Sequence, residues 1–143
     1  MVRGDITKLN NGPFPELNCQ SVVWRVAKFP DWIDKQRTRL TPRAFRRQGP
    51  KGHLPAEKGI SVVPQGTCSP EEAIQNAGGG DGIGTLLVGY IAELGLSLDR
   101  DKVTHAHIMG MPLPGDEGNE DGARGLHLRT QLAMNSRMLD WRP

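Results

Sequence analysis

The sequence predicts a single small α+β domain with a short mixed sheet and about three helices. Segments rich in β-branched residues alternate along the chain with segments of helical periodicity. The length of 143 residues is enough for one hydrophobic core and too short for two. No internal repeat and no series of heptads indicates a repeat array or a coiled coil. We therefore expect a flexible arm over residues 1–20 and one domain over residues 21–143.

The arm and the first strand are predicted from opposite signals. Asn10-Asn11-Gly12-Pro13 supplies turn chemistry that interrupts any periodic pattern. Residues 21–27 are β-branched and aromatic, which predicts a strand. Both faces of this strand are largely apolar, so we expect it to be central and covered on both sides. Arg25 then lies among apolar neighbours, where a buried guanidinium needs a carboxylate or phosphate partner.

Turn signals divide the next part of the chain. Residues 30–33 are typical of a turn or short helix. Thr41-Pro42 predicts the start of another short helix, with Thr as the cap and Pro in the first helical position. That helix carries the basic residues between 43 and 47 and ends before an exposed loop over residues 49–55. Residues 59–63 predict a second short strand, closed by Pro64.

Two further helices are indicated in the middle of the chain. Ser69-Pro70-Glu71-Glu72 has the pattern of a capping box with Pro in the first helical position, and Gly78 ends that helix. Apolar residues recur at helical spacing from Thr85 to Leu94, which predicts a buried helix. Gly95 follows where a left-handed C-terminal residue is common.

The last third of the chain predicts a strand, a loop and a helix. Residues 102–109 read as a third strand. Residues 114–118 form a flexible acidic loop in this interpretation. Between Asp121 and Leu139, apolar residues repeat at spacings of three and four, which predicts an amphipathic C-terminal helix.

Composition restricts the class of protein. No stretch approaches about 18 uninterrupted apolar residues, so we expect no membrane span. Polar and turn-forming residues follow Met1 where a signal peptide would have an apolar stretch, which predicts a cytoplasmic location. Cys19 and Cys68 are too few for a disulfide framework or a metal quartet, and we expect free thiols.

Positive charge is concentrated in one segment. Eight basic residues and one acidic residue lie between Lys35 and Lys58, a net of +7, which leaves −5 for the rest of the chain. Such a segment attracts phosphates and acidic surfaces, and a solvated surface is the plainer interpretation. It has few aromatic residues for stacking bases. The candidate residues for binding nucleic acid or another anion are Arg37, Arg39, Arg43, Arg46, Arg47 and Lys51.

Two other patterns contain residue types that can carry chemistry. The glycine-rich run over residues 78–84 lacks the Lys of a nucleotide-hydrolysing loop, so a flexible connector explains it more simply. His105 and His107 lie on one face of the predicted strand. Two ligands are fewer than the three or four that metal sites use. We therefore expect hydrogen-bonded, partly buried histidines and no metal site.

The order of several short motifs carries a resemblance. Trp24-Arg25 is followed by Leu40-Thr41-Pro42-Arg43-Ala44-Phe45, then Gly59-Ile60-Ser61-Val62, then His105-Ala106-His107-Ile108. This order resembles that of small uncharacterised bacterial proteins, and is distantly similar to ADP-ribosyltransferase-like domains that consume NAD. The resemblance implies NAD as substrate, with Arg25 holding a phosphate, Ser61 supporting the nicotinamide side and His107 in the catalytic set. The family's Ser-Thr-Ser strand is reduced here to one Ser, and no catalytic Glu is assigned.

Three hypotheses about function therefore follow from the sequence, which leaves open whether the chain is an enzyme. The leading hypothesis is a non-catalytic accessory or binding module that needs no cofactor. It engages a nucleic acid or an acidic protein surface through its basic segment. The alternative is an NAD-consuming enzyme or toxin domain that uses Arg25, Ser61 and a histidine. A metal-dependent enzyme built around His105 and His107 is a third interpretation.

Overall fold

The computed structural model describes residues 17–46, 59–112 and 120–141. Within these ranges, one sheet of six strands is covered by three α-helices and a short 3-10 helix, which confirms the predicted α+β class. In the described ranges, no helix is long and apolar enough to span a membrane. The expected loops over residues 49–55 and 114–118 lie outside the described residues, as does the expected arm as far as residue 16.

The elements follow one another along the chain with short connections. The strands are β1 (Val22–Ala27), β2 (Ile60–Pro64), β3 (Gly82–Leu87), β4 (Ser97–Lys102), β5 (His105–Met109) and β6 (Arg137–Met138). The α-helices are α1 (Pro70–Asn76), α2 (Val88–Glu93) and α3 (Glu120–Met134), and the 3-10 helix is Pro42–Phe45.

The strands are ordered β4-β5-β2-β1-β3-β6 across the sheet. Every pairing among the described strands is antiparallel, so the expected mixed sheet was wrong in this respect. β4 and β5 are joined by a two-residue turn, a connection that only antiparallel strands permit. β1 is central, as its two apolar faces predicted.

The two faces of the sheet carry separate apolar clusters. The larger cluster joins one face of the strands to the 3-10 helix, α2 and α3, and its members include Val23, Phe45, Val62, Leu86, Ile91, Ile108, Leu128 and Leu132. The smaller cluster packs α1 against the other face through Trp24, Ala73 and Ile83. Alternate residues of β1 thus contribute to opposite clusters, which is the period-2 pattern of a covered strand. Leu17 is buried in the larger cluster.

The start of α1 has the structure that its sequence predicted. The hydroxyl of Ser69 accepts a hydrogen bond from the Glu72 amide, and the Glu72 carboxylate accepts one from the Ser69 amide. Gly78 follows the helix with a φ of 86°, a backbone conformation that residues other than glycine rarely adopt. Both ends of α1 are therefore determined locally by the sequence.

The predicted helix from Thr85 to Leu94 is wrong over its first part. Residues 82–87 form strand β3, which pairs with β1 along its whole length, and only Val88–Glu93 is helical. A Cβ atom at Gly84 would lie 2.4 Å from the side chain of Leu40, so this glycine lets Leu40 pack closely against the sheet. Gly95 has a φ of 82° and follows α2 as predicted.

The strand predicted over residues 102–109 corresponds to β5 (His105–Met109), and β4 (Ser97–Lys102) before it was not predicted. β4 was missed because four consecutive charged residues, Asp99 to Lys102, hide its alternation. Arg100 is only 3% exposed. Its guanidinium donates to the carbonyl oxygens of Lys102 and Val103 in the turn, at 3.3 and 2.8 Å. A buried cation inside the hairpin thus replaces the apolar residue that a strand pattern would have shown.

Two other boundaries differ from the sequence interpretation. α3 ends at Met134, not near Leu139, and β6 follows it. The buried hydroxyl of Ser136 donates to the Ala133 carbonyl oxygen and accepts from the Leu40 amide, which directs the chain back to the sheet. The helix predicted at Thr41-Pro42 is a single turn of 3-10 helix. The Thr41 hydroxyl does not cap this turn, because it donates to the Asp31 carbonyl oxygen instead.

Candidate functional site

A cleft opens where β1 and β2 separate. The two strands pair only at Val23 with Pro64 and Trp24 with Val63, whereas β1 pairs with β3 along six residues. Beyond Trp24, the chain of β1 continues along β3 and leaves β2. A sheet that divides in this way exposes backbone groups of both strands, which must find other partners.

Arg25 supplies those partners at the point of separation. Its Nη1 donates to the carbonyl oxygen of Ser61 on β2 at 3.0 Å, and its Nε donates to the carbonyl oxygen of Ala44 at 2.9 Å. The guanidinium carbon lies 4.5 Å from the centre of the Trp32 ring. Arg25 is half-buried, and these contacts hold its charge in a fixed orientation at the wall of the cleft.

The cleft has a volume of about 920 Å³, within the range typical of ligand sites. One wall comes from β1 and the chain that follows it, through Trp24, Arg25, Val26, Lys28, Phe29, Asp31 and Trp32. The facing wall comes from β2 and α1, through Ser61, Val62, Val63, Ala73, Asn76, Ala77 and Gly79. The β4–β5 turn adds Lys102, Thr104 and His105.

The described lining combines positive charge with aromatic rings. Three basic side chains, Arg25, Lys28 and Lys102, face one carboxylate, Asp31. The chain has only three Trp, one Tyr and three Phe, and three of these seven rings line the cleft. An anion attracted by the basic groups and a flat ring that stacks on an aromatic side chain are thus both accommodated.

Ser61 and His107 lie side by side in the sheet. They are register partners on β2 and β5, and Asp99 on β4 is the partner of His107 on its other side. Directly opposed residues of antiparallel strands share a face of the sheet. His105 lies two residues from His107 on this face, and it is His105 that lines the cleft. The structure thus places His105 and His107 together, next to Ser61.

The two histidine rings form a compact cluster with Asp101. Their centroids are 4.6 Å apart and the rings are nearly perpendicular, at 84°. The Nδ1 atom of His105 lies 2.7 Å from a carboxylate oxygen of Asp101. Burial raises the pKa of Asp101, but the hydrogen bond to His105 and the nearby imidazoles outweigh it and lower the pKa overall. An ionised Asp101 accepts a hydrogen bond from Nδ1–H of His105, so the other ring nitrogen, Nε2, is not engaged by this carboxylate.

Two members of the basic segment lie beside the cleft wall. The guanidinium of Arg37 lies 4.0 Å from the centre of the Phe29 ring, and Arg37 has a φ of 58°. A nitrogen of Arg43 lies 3.6 Å from a carboxylate oxygen of Asp31, and both side chains are largely exposed. The Phe29 amide in turn donates to Asp81 at 2.9 Å, which ties this wall to the start of β3.

The remaining residues of the basic segment are distributed differently. Arg39 is half-buried, and its backbone closes a small loop with Asp34 through two hydrogen bonds. Arg46 is exposed at the end of the 3-10 helix. Arg47 and Lys51 lie outside the described residues. The described part of the segment therefore presents Arg37 and Arg43 next to the cleft, with Arg46 further along.

Sequence reasoning missed several residues of the cleft. Lys28, Phe29 and Trp32 are close to Arg25 in the chain, but the sequence indicated only a turn or short helix over residues 30–33 and nothing at Lys28 and Phe29. Lys102 reaches the cleft because the unpredicted hairpin of β4 and β5 brings it there. Of the glycine-rich run, only Gly79 lines the cleft, and the run from Gly82 belongs to β3.

The two cysteines are free thiols and half-buried. Burial raises the pKa of the Cys68 thiol, and the negative charge of Glu72 raises it further. A raised pKa lowers the thiolate fraction at neutral pH, so Cys68 is a poor nucleophile. Neither cysteine is in the described lining of the cleft.

Comparisons with protein-family models, with curated proteins and with solved structures find no match to this chain.

Proposed function

We propose that the cleft between β1 and β2 binds NAD and that the protein is an NAD-consuming, ADP-ribosyltransferase-like enzyme. The observation that carries this proposal is the lining, where three cations and three aromatic rings surround one cavity. A dinucleotide carries a pyrophosphate between two flat ring systems, so its charge and its rings match these two kinds of side chain. The order of Arg25, Ser61 and the histidines along the chain supports the same assignment.

The proposed roles follow from position. Arg25, Lys28 and Lys102 stabilise the pyrophosphate, and Arg25 does so with a guanidinium already oriented by two carbonyl groups. Trp32 and Phe29 stack on a ring of the ligand. Ser61 supports the nicotinamide side, next to the histidine pair. The aromatic and basic groups thus bind the substrate, and Ser61 and the two histidines lie beside the bond between nicotinamide and ribose.

The reaction breaks the bond between nicotinamide nitrogen and ribose C1′. Nicotinamide leaves with the electron pair of that bond, and a hydroxyl acceptor forms a new bond to C1′ and loses its proton. The imidazole of His105 lines the cleft, and in this proposal its Nε2 accepts that proton. His107 lies beside His105 and contacts its ring, so in this proposal it positions the imidazole.

Release of nicotinamide from NAD by the purified chain tests the proposal. We expect the wild-type protein to release nicotinamide, and Ser61→Ala and His105→Asn to reduce the rate by at least about a hundredfold. Lys35→Glu is the control, because Lys35 is exposed and absent from the described lining. Nicotinamide release that is absent from the wild type, or equal in the wild type and the two cleft variants, would overturn the proposal.

A second candidate function is binding of a nucleic acid or an acidic protein through the basic segment, without catalysis. The observation that favours it is the position of Arg37 and Arg43 on the rim of a cleft that is itself basic. A polyanion bound along the segment could therefore also contact the basic groups of the cleft, such as Lys28.

Fluorescence anisotropy with labelled RNA and DNA over a series of salt concentrations tests this second function. We expect affinity to fall steeply with salt, and the combined reversal Arg43→Glu, Arg46→Glu and Arg47→Glu to abolish binding while leaving the melting temperature unchanged. Binding to neither RNA nor DNA at low salt removes the nucleic-acid interpretation. Unchanged binding by the triple variant removes the basic segment as its site.

A further inference from the structure

We infer that Asp101, His105 and His107 form a binding site for a divalent first-row transition ion of the Zn²⁺ class. Each of the three side chains offers a ligand atom, and these atoms all lie within 4.8 Å of one another. Imidazole and carboxylate are ligands that such ions prefer, and three protein ligands with one open position are typical of reactive zinc sites. This inference stands independently of the proposed use of NAD.

The backbone explains why these three residues meet. The pairing of β4 with β5 shifts between Arg100 and Lys102, so Asp101 is the extra residue of a β-bulge. A bulge changes the direction of a side chain relative to the regular strand. Here the carboxylate of Asp101 lies 2.7 Å from Nδ1 of His105, and the His107 ring lies beside it. The hairpin therefore assembles a third ligand that the spacing of the two histidines alone did not reveal.

The geometry is close to that of an occupied site. Ligand atoms around a tetrahedral zinc ion with bonds of about 2.0 Å are separated by about 3.3 Å. The three ligand atoms now lie within 4.8 Å of one another. Changes of about 1.5 Å or less in these distances would bring them to the spacing of a tetrahedral site. The ion replaces the proton shared by Asp101 and His105. Because His105 lines the cleft, an ion held by the triad would lie next to the cavity.

Occupancy by an ion also has a chemical consequence. With an ion on Nδ1, the neutral ring of His105 would carry its proton on Nε2 and would not act as a base. A zinc ion held by these three residues would instead lower the pKa of a bound water molecule and make it a nucleophile near neutral pH. The chemistry it would supply beside the cleft is hydrolysis.

Calorimetric titration of the tag-free chain with Zn²⁺ alone tests the site. We expect one ion per chain, and Asp101→Asn and His107→Gln each to weaken binding by at least about tenfold. His127→Gln is the matched control, because His127 is exposed on α3 and outside the triad. Absence of Zn²⁺ binding, or equal binding by the wild type and both triad variants, would overturn the inference.

A second measurement uses only the wild-type protein, so it tests the site even if the triad variants fail to fold. Long-range proton–nitrogen NMR resolves the ring nitrogens of the four histidines in the chain. Addition of Zn²⁺ is expected to shift the ring nitrogens of His105 and His107 and to leave those of His53 and His127 in place. Shifts confined to His53 and His127, or no shift at all, would contradict the site. Because no nucleotide is present, neither result depends on the proposed NAD reaction.

Discussion

The guanidinium of Arg25 bonds the carbonyl oxygen of Ser61 at 3.0 Å, at the point where strand β1 leaves strand β2. The side chain thereby takes the place of the backbone pairing that would have closed the sheet here. The same guanidinium bonds the 3-10 helix through Ala44 and stacks on Trp32. One arginine therefore stabilises the divided sheet and contributes charge to the cleft that the division creates.

Substitution of Arg25 by lysine tests this double role. Lysine keeps the charge but cannot reach two carbonyl groups with a planar fork, so we expect the free energy of unfolding to fall by about 2 kcal/mol. Urea unfolding followed by circular dichroism measures it. Arg43→Lys is the control, because this side chain is largely exposed and its ion pair is weak, so we expect a loss below about 0.5 kcal/mol. Equal losses in the two variants would show that Arg25 does not brace the sheet.

Two glycines are expected to respond in opposite directions to alanine. A Cβ atom at Gly84 would overlap the Leu40 side chain inside the core, so Gly84→Ala should destabilise by about 1–3 kcal/mol. At Gly125 on α3 the nearest atom is the mobile end of Arg129, at 3.2 Å. There the better helix propensity of alanine should stabilise by about 0.5–1 kcal/mol. Thermal unfolding of both variants decides the point, and shifts in the same direction would refute this packing argument.

The capping box of α1 makes a separate prediction. Ser69→Ala removes the acceptor of the Glu72 amide and is expected to reduce stability by about 1 kcal/mol. Ser69→Asp keeps an oxygen acceptor at the same position, and its stability should stay close to that of the wild type. Denaturant unfolding compares the two. If alanine and aspartate give equal losses, the cap does not stabilise this helix.

Asp34 predicts a dependence of stability on acid pH. Burial raises the pKa of this carboxyl, but hydrogen bonds from Thr38 and Arg39 outweigh it and lower the pKa below its ordinary value of 3.8. A carboxyl with a lowered pKa stabilises the fold above the pKa of the unfolded chain, and this contribution is lost as the pH falls through the folded pKa.

Unfolding measured between pH 5 and pH 2 (about these limits) checks this expectation. Stability should fall less steeply with decreasing pH in Asp34→Asn than in the wild type. Thr38→Val removes only the hydroxyl donor at 2.8 Å and should give an intermediate slope. A slope in Asp34→Asn that matches the wild type would mean that the loop bonds do not hold the charged form.

The parts of the fold that follow from local chemistry were predictable. β1 was found from its β-branched residues, and α1 from its capping box. β3 was missed because its glycines interrupt the run of β-branched residues that indicates a strand. β4 was missed because its charged residues hide the alternation of apolar and polar positions. Gly84 is required by Leu40, more than 40 residues earlier in the chain, and Arg100 is held by the turn that follows it. Contacts of these kinds leave no periodic signal in the sequence.

The candidate site was predictable only in part. Arg25, Ser61 and the histidine pair were singled out, and the fold brings all of them to neighbouring strands. The contribution of Asp101 depends on a bulge in a strand that was itself missed. The stacking of Arg37 on Phe29 depends on the path of the chain after β1. Both are properties of tertiary structure, which a single sequence does not display.

Calorimetric titration with ADP-ribose tests the central claim most directly, because this ligand carries the pyrophosphate and a base but no bond to nicotinamide. We expect one site per chain, and Lys28→Glu and Lys102→Glu each to weaken binding by at least about fivefold, since a repelling charge replaces an attracting one. Lys35→Glu should bind like the wild type. Absence of binding by the wild type, or equal affinities in all four proteins, would contradict the assignment of the cleft as a nucleotide site.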